Sequence, residues 1–272
     1  MRLDRVPSSW YRGAYEDRKE CVDSAHSFSL LHESAEKAAL LVHGYAGYPG
    51  ELESPAAMLH GMGYDVFVPR LPGMGTSGKD FMETSMDDWL TVVEHGILDL
   101  QGRYGHVVLV GHSMGCPLSL IASRGKRVDT IFLAAPAFSL AAKAPTVMLK
   151  ALAVAGKVMD IPWHSDPSYR MHYEGAPRDD GYLGSEYWSH LYPKQMLELK
   201  KVMKEGKKVL EETDVPVMMA AGSLDAVCSY DEGFLSQHGD FNLILNGTHQ
   251  LFYDPSPEVE EETLRLMAEF MA

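Results

Sequence analysis

The chain predicts an α/β fold: a mostly parallel central sheet flanked by helices, with a helical lid inserted between two strands. Three observations carry that prediction. Short apolar runs alternate with stretches of helical periodicity from about residue 26 to residue 135, which is the rhythm of a parallel sheet covered on both faces. The rhythm breaks after Pro136 and resumes near residue 213. Within the first stretch, Gly111-His112-Ser113-Met114-Gly115 stands directly after an apolar run and directly before a helical one.

The elements follow in order. Residues 27–31, 38–42, 64–68, 107–110 and 130–134 are short runs rich in Val, Leu, Ile, Phe and Ala, bounded by polar residues or glycine, and predict strands. Residues 51–61 and 86–104 carry apolar residues at helical spacing, the second behind Ser85 as N-cap. Cys116–Ala122 predicts the first turns of a helix packed on the strand before Ser113. Residues 137–159 are small and apolar, with Val147, Met148, Leu149, Leu152, Val154 and Val158 on helices, whereas 160–191 are rich in Pro, Gly, Tyr and Trp without a sheet-like run. Residues 193–212 form an amphipathic helix with Met196, Leu199, Val202, Met203, Val209 and Leu210 inward and lysines in solvent. Strands return at 215–221 and 241–245, and a closing helix starts at Pro257 with its acidic residues in the first turn, where the helix dipole favours them. Residues 1–272 are thus expected as a single domain, with 137–192 as the inserted lid.

Composition narrows the partners. Hydrophobic residues make up 46% of the 272, ample for one core, and the net charge of −14 opposes both nucleic acid and electrostatic docking to an anionic membrane. Residues 1–10 are charged without the apolar stretch of a secretory signal, and no run approaches the roughly 20 residues of a membrane span, so no stable membrane insertion is expected. Cys21, Cys116 and Cys228 are odd in number and lack metal-ligand spacing, which predicts reduced thiols, no metal and a cytoplasmic setting. Asn246-Gly-Thr248 matches a glycosylation triplet but is expected to be only a turn.

A serine hydroxyl needs a base to take its proton and a third group to orient that base. In open α/β sheets reactive groups gather beyond the carboxyl ends of the strands. Asp225 follows directly after the 215–221 strand, and His249 directly after the 241–245 strand. Each alone would be unremarkable, a turn aspartate and one of 12 histidines; together with Ser113, in that order and each behind its own strand, they predict a catalytic triad. Asp254 is the nearest rival acid, expected instead near the start of the last helix, and His43 is expected to be structural. The backbone N–H groups of Tyr45 and Met114 are the expected oxyanion-hole donors, the first on the glycine-containing turn after the 38–42 strand.

His43-Gly44-Tyr45, the Ser113 elbow, Asp225 and His249 together resemble the α/β-hydrolase superfamily, and within it the bacterial carboxylesterase and monoacylglycerol-lipase group. Residues 63–77 and Asp87-Asp88-Trp89 are similar to that group's loop and helix after its fourth strand, although Met74 stands where many relatives carry a polar residue. The resemblance covers roughly 27–135 and 213–270 and implies the α/β-hydrolase fold, no cofactor, and two-step hydrolysis of a small-molecule carboxylic ester through an acyl-enzyme on Ser113. The lid is not similar enough to carry over a substrate; the apolar run 137–159, which either lines an acyl pocket or packs the lid onto the body, points to short- to medium-chain acyl esters, including monoacylglycerols. The aromatic cluster Trp163, Tyr169, Tyr173, Tyr182, Tyr187, Trp188 and Tyr192 supports an alternative esterase for hydroxycinnamoyl groups. Thioesterase or serine aminopeptidase activity would use the same machinery. A non-catalytic ligand-binding role is disfavoured by the complete triad, and an apolar lid face leaves a homodimer open.

Overall fold

Valine, leucine, isoleucine and alanine crowd the strand segments because these strands are buried on both faces, as parallel strands between helix layers must be. The computed structural model describes residues 3–12, 19–164 and 179–272. Its strands are β1 (Leu3–Asp4), β2 (Phe28–Leu30), β3 (Lys37–Val42), β4 (Tyr64–Val68), β5 (His106–His112), β6 (Thr130–Ala134), β7 (Met159–Asp160), β8 (His190–Leu191), β9 (Val217–Gly222) and β10 (Asp240–Ile244). Eight of them form one sheet in the order β1-β2-β4-β3-β5-β6-β9-β10, parallel from β4 to β10 and antiparallel at the β1 and β2 edge. The helices are α1 (Glu53–Gly61), α2 (Gly78–Glu83), α3 (Met86–Arg103), α4 (Gly115–Ser123), α5 (Thr146–Val154), α6 (Asp179–Leu183), α7 (Pro193–Glu212), α8 (Glu232–His238) and α9 (Pro257–Met271).

Strand alternation divides the core in two. Leu40, Val42, Val107, Leu109, Ile131 and Leu133 join one cluster with α3, α4 and α7, whose contributions include Val92, Ile97, Leu118, Leu120, Leu199 and Val202. Their neighbours Ala39, Leu41, Val108, Val110 and Phe132 face α1 and α9 through Leu59, Val259 and Met267. Burying a side chain of this size contributes on the order of 1.5–3 kcal/mol, so the two layers fix the register of the central strands. Met74, the departure noted in the sequence, is fully buried in the first cluster, and its carbonyl accepts a hydrogen bond from Arg70 at 3.1 Å.

Between β6 and α7 the chain leaves the sheet. The small apolar stretch forms only α5, which turns Leu149 inward and is tied to α7 by the Lys200 ammonium on the Ala144 carbonyl at 2.7 Å. Val147 and Val154 are 80% and 92% exposed, and Val158 lies beyond the helix. The sequence anticipated no sheet in the next stretch, yet β7 and β8 pair as two-residue strands. The aromatic residues that follow hold the main chain of residues 73–78. The Tyr187 hydroxyl accepts from Thr76 N–H at 2.9 Å and donates to the Gly73 carbonyl at 3.0 Å. Tyr182 donates to the Thr76 carbonyl, and Glu186 accepts from Gly78 N–H at 2.8 Å. Trp188 Nε1–H donates to the Ala46 carbonyl at 3.1 Å. Tyr169 and Tyr173 lie outside the described residues. Among those described, no helix is long and apolar enough to cross a membrane.

Ser85 caps α3 as its sequence position predicts, with the Asp88 carboxylate accepting its N–H at 2.9 Å and its hydroxyl at 2.8 Å. Replacing Asp88 by alanine leaves those donors at the helix start to water. Asp88→Ala is expected to lower stability by about 1 kcal/mol, read as a lower urea midpoint at unchanged slope.

Candidate active site

The apolar run of β5 ends at His112, and the chain then reverses into α4 within one residue. That residue is Ser113, with φ of 55°, a conformation that side chains other than glycine rarely adopt. The strain, on the order of 1–3 kcal/mol, is held by the surrounding main chain. Ser113 N–H donates to the Ala134 carbonyl at 2.9 Å, and the Ser113 carbonyl accepts from Cys116 and Ala137 N–H at 3.1 and 3.2 Å. A Cβ on Gly115 would overlap the Val42 carbonyl, and one on Gly44 would come within 3.0 Å of Ser113 Cβ. Glycine at both positions lets the turn after β3 lie directly against the serine. Cys116 packs beneath, its thiol donating to the Gly111 and Ala134 carbonyls at 3.2 Å.

Asp225 sits just past β9. Its Oδ1 accepts the N–H groups of Val227 and Cys228 at 2.7 and 2.8 Å; its Oδ2 accepts the Tyr230 hydroxyl and faces His249 Nδ1 at 2.7 Å. His249 follows the turn after β10, where Asn246 adopts φ of 61°. The two loops are joined through Leu224 N–H to the Gly247 carbonyl at 2.8 Å and Ser223 N–H to the Ile244 carbonyl at 3.0 Å. His249 Nε2 lies 2.9 Å from Ser113 Oγ. An ionised carboxylate only accepts, so Nδ1 carries the proton and Nε2 presents its lone pair to the serine hydroxyl. The structure thus brings the three predicted side chains into one hydrogen-bonded line.

Electrostatics favour that protonation. Burial pulls the His249 pKa down, and the nearby His112 charge adds to this, outweighing the lift from Asp225. Burial alone would raise Asp225, but its hydrogen bonds from His249, Tyr230 and Cys228 N–H hold it below the usual carboxylate range. Met114 directly follows Ser113, and Gly44, the residue before Tyr45, lies against the Ser113 side chain; among the described residues neither the Tyr45 nor the Met114 N–H donates to a loop carbonyl. The Tyr45 ring anchors its turn edge-on to Phe81, with centroids 5.2 Å apart.

The rival residues have other duties. His43 is fully buried, accepts Leu71 N–H on Nε2 at 2.9 Å and faces the Gly44 carbonyl through Nδ1 at 3.0 Å, joining two loops. Burial lowers its pKa to about 4, keeping it neutral. Asp254 accepts Thr248 N–H and hydroxyl at 2.8 Å and Ser256 N–H at 2.9 Å, bracing the His249 loop against the start of α9. Among the described residues, one group of metal-type donors comes together, Asp225, Cys228 and His249. There Asp225 is already saturated by the four hydrogen bonds above, and burial pushes the Cys228 thiol up and keeps it protonated. Two contributors escape motif reasoning: Tyr230, five residues past the acid, and the His112–Glu51 pair behind the base. The one available signal for the latter is an ionisable residue ending an otherwise apolar strand.

A mostly parallel sheet with a serine on the turn after β5, an acid after β9 and a histidine after β10 defines an α/β hydrolase. The family model described as serine aminopeptidase, S33, matches residues 33–256, and the chain belongs to that family. It shares 38% identity over 88 residues with the thermostable monoacylglycerol lipase of Bacillus sp. (strain H-257), across 32% of this chain and 35% of the relative, so the match spans about a third of that protein. The monoacylglycerol lipase structure of Paleococcus ferrophilus superposes with a TM-score of 0.68 at 19% identity, covering 90% of this chain and 97% of its own. A soluble variant of Saccharomyces cerevisiae monoglyceride lipase, in complex with a substrate analog, gives 0.69 at 18%, covering 95% of each chain. At these identities the two structures establish a shared fold.

The depressed His249 pKa sets a pH expectation. Protonated His249 cannot accept the serine proton, so Ser113 reactivity falls as pH drops through the folded pKa. The rate of Ser113 labelling by a fluorophosphonate is expected to rise with pH and level off with its midpoint below the ordinary histidine value of 6.5.

Proposed function

We propose that this chain is a serine hydrolase of carboxylic esters. The observation that carries the proposal is the unbroken Ser113–His249–Asp225 line, with separations of 2.9 and 2.7 Å. Ser113 Oγ attacks the ester carbonyl carbon while His249 Nε2 takes its proton and Asp225 stabilises the imidazolium. The carbonyl oxygen becomes an oxyanion facing the N–H groups of Tyr45 and Met114. His249 returns the proton to the leaving alkoxide, freeing the alcohol and leaving an acyl ester on Ser113. Water, deprotonated by the same imidazole, then attacks that ester and releases the acid.

The proposed substrates are short- to medium-chain acyl esters, with monoacylglycerols foremost. This choice rests on the monoacylglycerol lipases the chain is similar to. Residues 137–192 are proposed to act as a lid, supported by the Trp188 hydrogen bond to Ala46, the residue after Tyr45. The hydroxycinnamoyl alternative is weakened because the hydroxyls of Tyr182 and Tyr187 grip the Thr76 loop and that of Tyr192 donates to the Glu186 carbonyl. Among the described residues of that cluster, Trp163 and Trp188 remain, with centroids 5.8 Å apart.

The test is an ester panel: nitrophenyl esters of rising chain length, monoacylglycerols, methyl ferulate, an acyl thioester and an aminopeptidase substrate. Wild type should hydrolyse the acyl esters and label with fluorophosphonate, and Ser113→Ala should lose on the order of 10⁶ in kcat. Failure of wild type to label, or normal turnover by Ser113→Ala, overturns the proposal.

A further inference from the structure

We infer that Glu51 and His112 form a buried ion pair that positions the general base and the oxyanion turn as one unit; this rests on the acyl-transfer reading above. His112 ends β5, one residue before Ser113, and its side chain is 2% exposed. Its Nδ1 lies 3.2 Å from Glu51 Oε2, and its Nε2 lies 3.0 Å from the backbone carbonyl of His249. Both ring nitrogens therefore face acceptors. A neutral imidazole has only one N–H, so with Glu51 ionised the geometry requires imidazolium, donating from both nitrogens.

Glu51 completes the bridge from the other side. It lies in the short 3₁₀ turn Pro49–Leu52, with its side chain 5% exposed, and its carboxylate faces the turn that carries Tyr45, where the backbone of Gly44 helps to hold its pKa down. A Cβ on Gly47 would overlap its carboxylate, so glycine there admits the carboxylate to the inside of the turn. One pair of side chains thus touches the oxyanion turn, the residue before the nucleophile and the main chain of the base. Burial disfavours both charges, yet their mutual hydrogen bond raises His112 and lowers Glu51.

The positive end of the pair faces His249, with ring centroids 5.4 Å apart. The other titratable groups around the pair and the base are Asp225, which bonds His249; Tyr230 and Cys228, beside Asp225; Tyr253, whose ring packs against His112; and His43, which Glu51, Arg70 and His112 influence. A charge at His112 opposes protonation of His249 more strongly than the Glu51 carboxylate favours it. Removing Glu51's charge lets His112 become neutral, so the His249 pKa rises and the acid limb of the rate profile moves to higher pH.

The test is Glu51→Gln, His112→Gln and the double variant, assayed on nitrophenyl butyrate across pH. Each single change is expected to lower kcat, by up to on the order of a hundredfold through misplacement of the base, with KM nearly unchanged and the acid limb shifted upward. The double variant should be no worse than the poorer single one, because both disrupt one unit. Wild-type kcat and limb in Glu51→Gln, or a lower kcat with an unmoved limb, overturns the inference. Nitrogen NMR of the wild-type protein provides a readout that does not depend on the variants folding. His112, assigned through its backbone connectivity, should remain imidazolium at mildly alkaline pH, and a neutral ring there overturns the inference. A wild type that fails to label with fluorophosphonate overturns the acyl-transfer reading instead and leaves the NMR result standing.

Discussion

The reversal of the chain at Ser113 is the constraint around which the site is organised. A left-handed φ at a residue with a side chain persists only where surrounding bonds over-determine it. Here they come from β6 through Ala134, from Ala137 just beyond it, and from α4 through Cys116. The same reversal removes room for any side chain at Gly115, which brings the end of β3 up against α4. The turn after β3, the elbow and the loops after β9 and β10 are therefore parts of one packing problem at the carboxyl edge of the sheet.

Much of that arrangement was legible in the residues. Ser113, Asp225 and His249 each follow their own strand, and a parallel sheet delivers the residues after its strands to one edge, so order along the chain translated into proximity. The amphipathic pattern of 193–212 coincided with α7 because its inward residues recur at helical spacing over a long stretch. Strand β9 begins two residues later than its apolar run, at Val217, since Pro216 has no N–H for the ladder and contributes only a carbonyl to Ile131. Helices α2 and α8 left little pattern, as their few buried side chains include only Phe81 and Leu235 among the large apolar ones.

What stayed hidden depends on contacts between distant segments. Glu51 and His112 are 61 positions apart, and neither residue type announces a partner. The apolar stretch around α5 misled in a different way: periodicity marks which residues share a face, but not whether a neighbour covers it. Leu149 found α7, whereas Val147 and Val154 on the same short helix remain in solvent. Among the described tyrosines beyond them, Tyr182, Tyr187 and Tyr192 act as polar fasteners, because a hydroxyl at the end of a rigid ring reaches nearby backbone carbonyls.

One further fastener reaches the site from a distant part of the chain. Ala46, next to Tyr45, is itself held at φ of 53°, and its carbonyl is the acceptor for Trp188 Nε1–H. The indole thus shares in holding a left-handed residue on the turn that lies against Ser113. A change confined to residue 188 therefore bears on the main chain beside the serine without touching Ser113, Asp225 or His249.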